Sequence, residues 1–327
     1  MRYRRLGRTG YDVSEVGLGA WQLGADWGDV DEPTALATLH AAADAGVTFF
    51  DTADVYGDGR SERLVGRFLH ERSDPRLVVA TKMGRREPLE MARYTPEAFR
   101  RWLDRSRENL GLETIPLVQL HCLPTQVYYT PEIFAALDAL VTDGVIAHYG
   151  VSVEKVEEGL IALENPGVAS VQIIFNAFRQ RPAERFLAAA RAADVGVIVR
   201  VPLASGLLTG KFTPSTVFAA DDHRLYNREG TSFDRGETFA GIPYEVGLAA
   251  VEELRPLVPA GTTMTQLALR WILLHEGVST TIPGAKNAEM ARANAAASDL
   301  PPLAPETMDA IRAVYDARIR PHVHTRW

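Results

Sequence analysis

The hydrophobic positions fall into two rhythms that alternate along the chain. Short, nearly continuous apolar runs, rich in Val and Ile, occupy residues 13–19, 47–51, 77–82, 116–121, 146–152, 168–175, 195–201 and 279–283. Runs of this length without polar alternation are expected of strands covered on both faces. Between them, apolar residues recur three and four positions apart over 33–45, 61–71, 96–110, 131–142, 153–164, 182–193 and 264–275, with 287–297 following the last strand. Glu32-Pro33, Thr95-Pro96 and Thr130-Pro131 put Pro near a first helical position, where its missing N–H costs nothing. Gly46, Gly111, Gly144 and Gly196 follow periodic runs and mark helix ends. A polar stretch around Thr9-Gly10 predicts a hairpin ahead of the first strand. Segments 244–258 and 305–319 read as helices outside the alternation. Residues 211–241 have no clear period, and a loop of that size after the seventh strand is normally functional or mobile.

Eight strands, each followed by a helix, predict a single (β/α)8 TIM-type barrel with an N-terminal hairpin and extra helices, spanning 1–327 as one domain. The rival is an open doubly wound sheet. It is weakened by the lack of a G-x-G-x-x-G turn after the first strand. Thirty-five Lys and Arg against 42 Asp and Glu give a net charge of -7. That balance speaks against nucleic acid or anionic membrane as a partner. The apolar runs fall well short of the ~20 residues that span a bilayer. Residues 1–10 are basic and polar without an apolar stretch behind them, so no signal peptide is expected. Cys122 is the single cysteine. It can form no intrachain disulfide and no Cys-rich metal centre, which suits a cytoplasmic protein. His322 and His324 lack a surrounding ligand pattern, and no metal is expected.

In a parallel barrel the chemistry lies at the C-terminal strand ends. Three consecutive strands end in ionisable residues: Asp51, Lys82 and His121. Tyr56 lies just beyond the first. Asp51 can supply the countercharge that a buried Lys82 requires. Beside that ammonium the Tyr56 phenol is expected to have its pKa lowered from about 10. Such a group can give a proton to an oxygen that gains negative charge, and His121 can polarise the carbonyl. No side chain delivers hydride, so a nicotinamide must. Taken singly, Asp51–Lys82 could be a buried ion pair, Tyr56 a half-buried aromatic and His121 a core histidine. Cys122, adjacent to His121, should face the other way, into the core.

The sequence resembles the aldo-keto reductases over nearly its whole length. The resemblance rests on residues 16–24 (VGLGAWQLG), 50–57 (FDTADVYG), Lys82, Leu120-His121, Gly150-Val151-Ser152, Gln172, Phe175-Asn176, 202–211 (PLASGLLTGK) and 282–286 (IPGAK). It implies a (β/α)8 barrel that reversibly reduces aldehydes and ketones with NAD(P)H. It implies Tyr56 as proton donor, with Asp51, Lys82 and His121 completing a tetrad. Ser152 and Gln172 would hold the nicotinamide amide, with Val153 where the family usually has Asn. Asn176 is a further polar neighbour. Arg200 takes the place of the aromatic that many members stack on the ring, a change that should favour the reduced cofactor. Leu203, Ser205, Gly206, Leu207 and Lys211 would carry the pyrophosphate. Gly284, Lys286 and Asn294 would take the adenosine end, with Met290 and Ala293 departing from the usual Gln and acidic residue. Lys286 is the candidate for a 2′-phosphate, so NADP(H) is favoured over NAD(H). Trp21, Trp27, Tyr56 and His121 would line the site of a small carbonyl or alcohol substrate. A rival is a redox-sensing cofactor-binding protein like the potassium-channel β subunits, which share the fold. Another is a different barrel enzyme, such as a hydrolase or isomerase, acting on a phosphorylated substrate.

Overall fold

The computed structural model describes residues 1–24 and 30–327. The chain begins with an antiparallel hairpin, β1 (Tyr3–Arg5) and β2 (Asp12–Ser14), turned through Gly7–Thr9. Eight parallel strands follow: β3 (Leu18–Gly19), β4 (Phe49–Asp51), β5 (Val78–Met83), β6 (Ile115–His121), β7 (Ile146–Ser152), β8 (Val168–Ile174), β9 (Gly196–Arg200) and β10 (Thr280–Thr281). They neighbour one another in chain order. Parallel bridges from Val16 to Thr281 and from Gly19 to Gly284 bring the first and last strands together, so the sheet curls into a nearly closed barrel.

The run 13–19 is therefore two elements. Val13 and Ser14 belong to the hairpin, and the barrel wall starts at Leu18. The division follows from what Val13 covers. With Leu6 it packs on Phe49, Ala80, Leu117, Ile198 and Ile282, an apolar layer inside the barrel. The hairpin plugs the bottom, and its approach is close. A Cβ on Gly7 would lie 2.2 Å from the Gly196 nitrogen, and one on Gly196 would lie 2.9 Å from the Leu6 carbonyl carbon. Gly196 thus serves close packing, not a helix stop. In that turn Asp194 takes the left-handed conformation, at φ 52°.

Side chains two positions apart on a strand share a face. Two residues beyond Phe49, Ala80 and Leu117 stand Asp51, Lys82 and Gln119, so the apolar layer gives way directly to a polar one at the C-terminal mouth. Helices cover the outside: Glu32–Asp44, Arg60–Arg72, Pro96–Leu110, Pro131–Thr142, Val156–Ala162, Phe186–Ala192, Met264–Leu273 and Ala288–Ala295. Several of their starts are fixed by side chains that accept otherwise unpaired N–H groups. Asp31 accepts from Thr34, Thr95 from Ala98, and Asn287 from Met290. Helices Tyr244–Leu254 and Pro305–Val314 lie outside the alternation, as the periodicity predicts.

Residues 211–241 hold a short helix, His223–Tyr226, and tight turns at Arg235–Glu237 and Phe239–Gly241. Side chains order this segment. Asn227 Oδ1 accepts from the amides of Ser232 and Phe233, at 2.9 and 3.1 Å. The Trp327 ring packs on Gly236 and Gly241, where a Cβ would come within 2.9 and 2.6 Å of it. Its Nε1 donates to Asp234 Oδ1 at 2.9 Å. Among the described residues no helix is long and apolar enough to cross a membrane.

Candidate active site

The ends of β4, β5 and β6 meet in register, Asp51 opposite Ala80 and Lys82 opposite Gln119. Lys82 and Asp51 are buried and bonded to each other through Nζ and Oδ1. Lys82 Nζ also donates to the Thr52 carbonyl at 2.8 Å and to the Tyr56 hydroxyl at 3.3 Å. An ammonium has three protons, and each has an acceptor here. Asp51 Oδ2 accepts from Gln119 Nε2 at 3.0 Å and Gln172 Nε2 at 2.8 Å. Burial opposes the charge on Lys82, but Asp51 and Tyr56 outweigh it and raise the lysine pKa. The ammonium therefore stays charged.

Tyr56 is brought over this pair by the turn after β4. Gly57 takes φ 59°, and Gly24 lies directly beneath, where a Cβ would fall 2.8 Å from Tyr56 Cβ. Trp21 stacks on the Tyr56 ring (centroids 5.7 Å apart, planes at 14°), and His121 meets it edge-on at 5.9 Å. The phenol pKa is raised above 10.0, contrary to the expectation from the sequence. Burial is the larger effect, and Lys82, already balanced by Asp51, offsets only part of it. The hydroxyl thus keeps its proton at neutral pH. Burial, helped by Arg85, Lys82 and Arg200, holds the His121 imidazole well below 6.5 and hence neutral. Its Nδ1 is buried without a hydrogen-bond partner among the described residues.

A cavity of about 280 Å³ opens at this mouth. Its lining passes round the strand ends through Trp21, Tyr56, His121, Ser152, Gln172 and Arg200. It continues through Leu203, Ser205, Gly206, Lys211, Gly284 and Lys286. The fold therefore brings most of the expected residues to one space. Leu207 and Asn294 do not line it. Leu207 is buried where a Cβ on Gly247 would meet it, and Asn294 Nδ2 donates to the Gly284 carbonyl at 3.2 Å. Trp27 lies outside the described residues. Trp21 lines the cavity while stacked on Tyr56 and on His223, the latter at 4.9 Å. Asn176 is spent on backbone, donating to the Val201 carbonyl and accepting from Phe178. The Gln172 amide protons go to Asp51 and Gln119. The Ser205 hydroxyl ties down residues 237–239, donating to the Glu237 carbonyl and accepting from the Phe239 amide, both at 3.0 Å.

Glu154, Glu237 and Arg85 carry no functional mark in the sequence. Gln119 had a signal: it is the polar residue that shares the inward face of β6 with His121. Glu237 had none, because it arrives from the aperiodic segment. Its carboxylate lies 3.0 Å from Arg85 Nη1 and 3.6 Å from Arg200 Nη1. Arg200 also donates to Glu154 Oε2 at 2.9 Å and to the Val153 carbonyl at 3.0 Å. Cys122 is buried beside this group, with Sγ 3.5 Å from Ser152 Oγ and 3.4 Å from Arg200 Nη2. Ligand atoms of Cys122, Glu154 and Glu237 lie within 4.8 Å of one another, but the Arg200 guanidinium already lies against all three. Strain accompanies the strand ends: Cys122 and the β-branched Val201 take φ near 50° directly after β6 and β9. Such conformations cost of order 1–3 kcal/mol and cluster at functional sites.

The aldo/keto reductase family model matches residues 15–316. An aldo-keto reductase of Bacillus subtilis, YhdN, is 30% identical over 88% of this chain and 85% of its own length. A probable voltage-gated potassium channel subunit beta of rice, Oryza sativa subsp. japonica, is 30% identical over 97% and 98%. The glycerol dehydrogenase AKR11B4 of Gluconobacter oxydans superposes with a TM-score of 0.76 at 29% identity, covering 98% of this chain and 96% of that one. With the barrel, the ordered motifs and these matches in agreement, the chain belongs to the aldo/keto reductase family.

Proposed function

We propose that this protein is an NAD(P)H-dependent oxidoreductase that reduces an aldehyde or ketone to an alcohol, reversibly, with Tyr56 as the proton donor. One observation carries the reading: a half-buried, protonated phenol hydrogen-bonded to a buried ammonium, beside a neutral imidazole, at one wall of a solvent-open cavity. The rest of the cavity suits an extended dinucleotide. Gly206 turns the chain at φ 100°, and Gly284 leaves room beside the Gln22 amide, which a Cβ would meet at 2.0 Å. Lys211 and Lys286 add positive charge to the lining, and Lys286 favours NADP(H).

When bound, the nicotinamide supplies hydride to the carbonyl carbon. The chain's own groups handle the oxygen. Tyr56 holds the proton that the oxygen needs, and Lys82 stabilises the phenolate left behind. Asp51 keeps Lys82 charged and in place. His121, neutral, offers a hydrogen bond that orients the carbonyl. Ser152, Gln172, Arg200 and Leu203 would border the nicotinamide ring, and Ser205, Gly206 and Lys211 would border the pyrophosphate. The reaction needs no metal. A cytoplasmic setting and a small carbonyl or alcohol substrate suit this chemistry.

Tyr56→Phe should cut turnover by about 10²–10⁴-fold, the usual worth of a positioned proton donor, and leave the Kd of the reduced cofactor within about twofold. Unchanged turnover would reject the mechanism. Because the phenol pKa lies above 10.0 and the imidazole pKa below 6.5, neither group should bend the reduction rate between those values. It should fall as pH rises through the phenol's raised value, since the donor must be protonated. The similarity to the rice channel subunit favours a second reading, a redox-sensing subunit on the same chemistry. Tightly held cofactor that is oxidised slowly, in single turnovers, would support it; rapid multiple turnover would exclude it.

A further inference from the structure

The sequence presents Arg200 as an isolated cation facing the nicotinamide, whereas the structure surrounds it with carboxylates. Glu154 follows β7 and bonds Arg200 from one side. Glu237 comes from the segment beyond β9, lines the cavity itself, and reaches Arg200 Nη1 and Arg85 Nη1 with its two oxygens. Burial favours the neutral acid at Glu237, but Arg85 and Arg200 outweigh it and keep the carboxylate charged. Two guanidinium groups and two carboxyl groups thus share one buried cluster at the cavity wall. Glu237 is the carboxyl group of that cluster that lines the cavity. Its place is built from several directions. Ser205 bonds residues on both sides of it, and Trp327 packs on the neighbouring Gly236.

We propose that Glu237 is a specificity-determining residue for the oxidation state of the bound nicotinamide: its carboxylate cancels the Arg200 charge and so lets the cationic oxidised ring bind beside a guanidinium. This rests on the proposed function, in which the ring lies along Ser152, Gln172 and Arg200. The oxidised ring carries a positive charge that the reduced ring lacks. Electrostatics at that wall therefore acts on one form and hardly on the other. Burial pushes the Glu154 acid up to about 8, so at neutral pH Glu237 is the carboxylate set against Arg200 and Arg85. Without it, an uncompensated cation faces the pyridinium.

The test is the ratio of dissociation constants for oxidised and reduced cofactor. NADPH is followed by its fluorescence and NADP⁺ by calorimetry, in wild type, Glu237→Gln, Arg200→Gln and the double variant. Glu237→Gln should weaken NADP⁺ relative to NADPH by at least tenfold: a unit charge about 12 Å away at an effective dielectric of about 20 already gives that, and a nearer one gives more. Arg200→Gln should move the ratio the opposite way, and the double variant should return it close to wild type. An unchanged ratio in Glu237→Gln would overturn the proposal. So would equal weakening of both forms that the second substitution fails to correct, which is what a purely structural role would give. If the wild-type protein binds neither form, the proposed function itself fails; binding with an unmoved ratio removes only this inference.

Discussion

The two ends of the cavity are built on different principles. At the Tyr56 end the charged groups are interlocked. Lys82 and Asp51 are almost wholly buried, and besides each other's charge four polar partners fix them: Thr52, Tyr56, Gln119 and Gln172. At the Lys286 end the cations are closer to solvent, Lys211 exposed and Lys286 half-buried, and the chain turns on Gly206 and Gly284. The first arrangement holds a proton at one atom. The second leaves room and charge for a long, flexible anion. A charge in the first is strong because nothing screens it, and fragile because every partner is needed. A charge in the second is screened by water and salt, and its loss should be tolerated.

The sharpest way to break this contrast is Lys82→Met. It leaves Asp51 buried without a counter-ion, at a cost of about 3–5 kcal/mol, and should lower the melting temperature as well as abolish turnover. Adding Asp51→Asn should recover most of the stability, because the stranded charge is gone, while turnover stays lost. Calorimetry and a single-turnover assay separate the two effects. If Lys82→Met melts like wild type, the interlocked description of this end is wrong.

A smaller effect is expected where the near end depends on shape instead of charge. Gly24 does not take a positive φ, so alanine suits its backbone. Its Cβ, however, would lie 2.7 Å from the Tyr56 carbonyl carbon and 2.8 Å from Tyr56 Cβ. Gly24→Ala should therefore displace the phenol and reduce kcat by about 10–10²-fold, the scale for misplacing a reacting group by an ångström. The Kd for cofactor should hold within about twofold. A change in Kd with kcat preserved would mean that the glycine serves the far end.

The same contrast governs what the sequence reveals. Asp51, Lys82 and His121 interrupt apolar strands at their ends, so an interior layer turning polar is visible in one dimension. The strand alternation and the proline-marked helix starts make the barrel legible for the same reason: they are local rules. The hairpin plug is only half legible, because Val13 is apolar in either role and only the closed barrel decides which layer it fills. Glu237 was out of reach, since its segment is ordered by Asn227, Ser205 and Trp327, contacts that leave no period. The direction of the Tyr56 shift is hidden for a related reason: the strand ends bring Lys82 to the phenol, but the burial around it depends on Trp21 and His121, which come from distant parts of the chain.

The mildest substitution tests the far end. Lys286 is half-buried, and burial, with Arg224 nearby, lowers its pKa. A cation in that setting contributes through a partly screened contact, so Lys286→Ala should weaken NADPH by about five- to tenfold at low salt and less as salt rises. NADH, which lacks the 2′-phosphate, should bind the variant and the wild type alike, within about twofold. Melting temperature and the kcat of the saturated enzyme should not move, because the lysine is half-exposed and solvent screens its charge. Equal loss of both cofactors would relocate the phosphate contact to another residue, with Lys286 acting on the shared part of the dinucleotide. A large loss of stability would show that the half-exposed end is interlocked after all, and the distinction between the two ends would collapse.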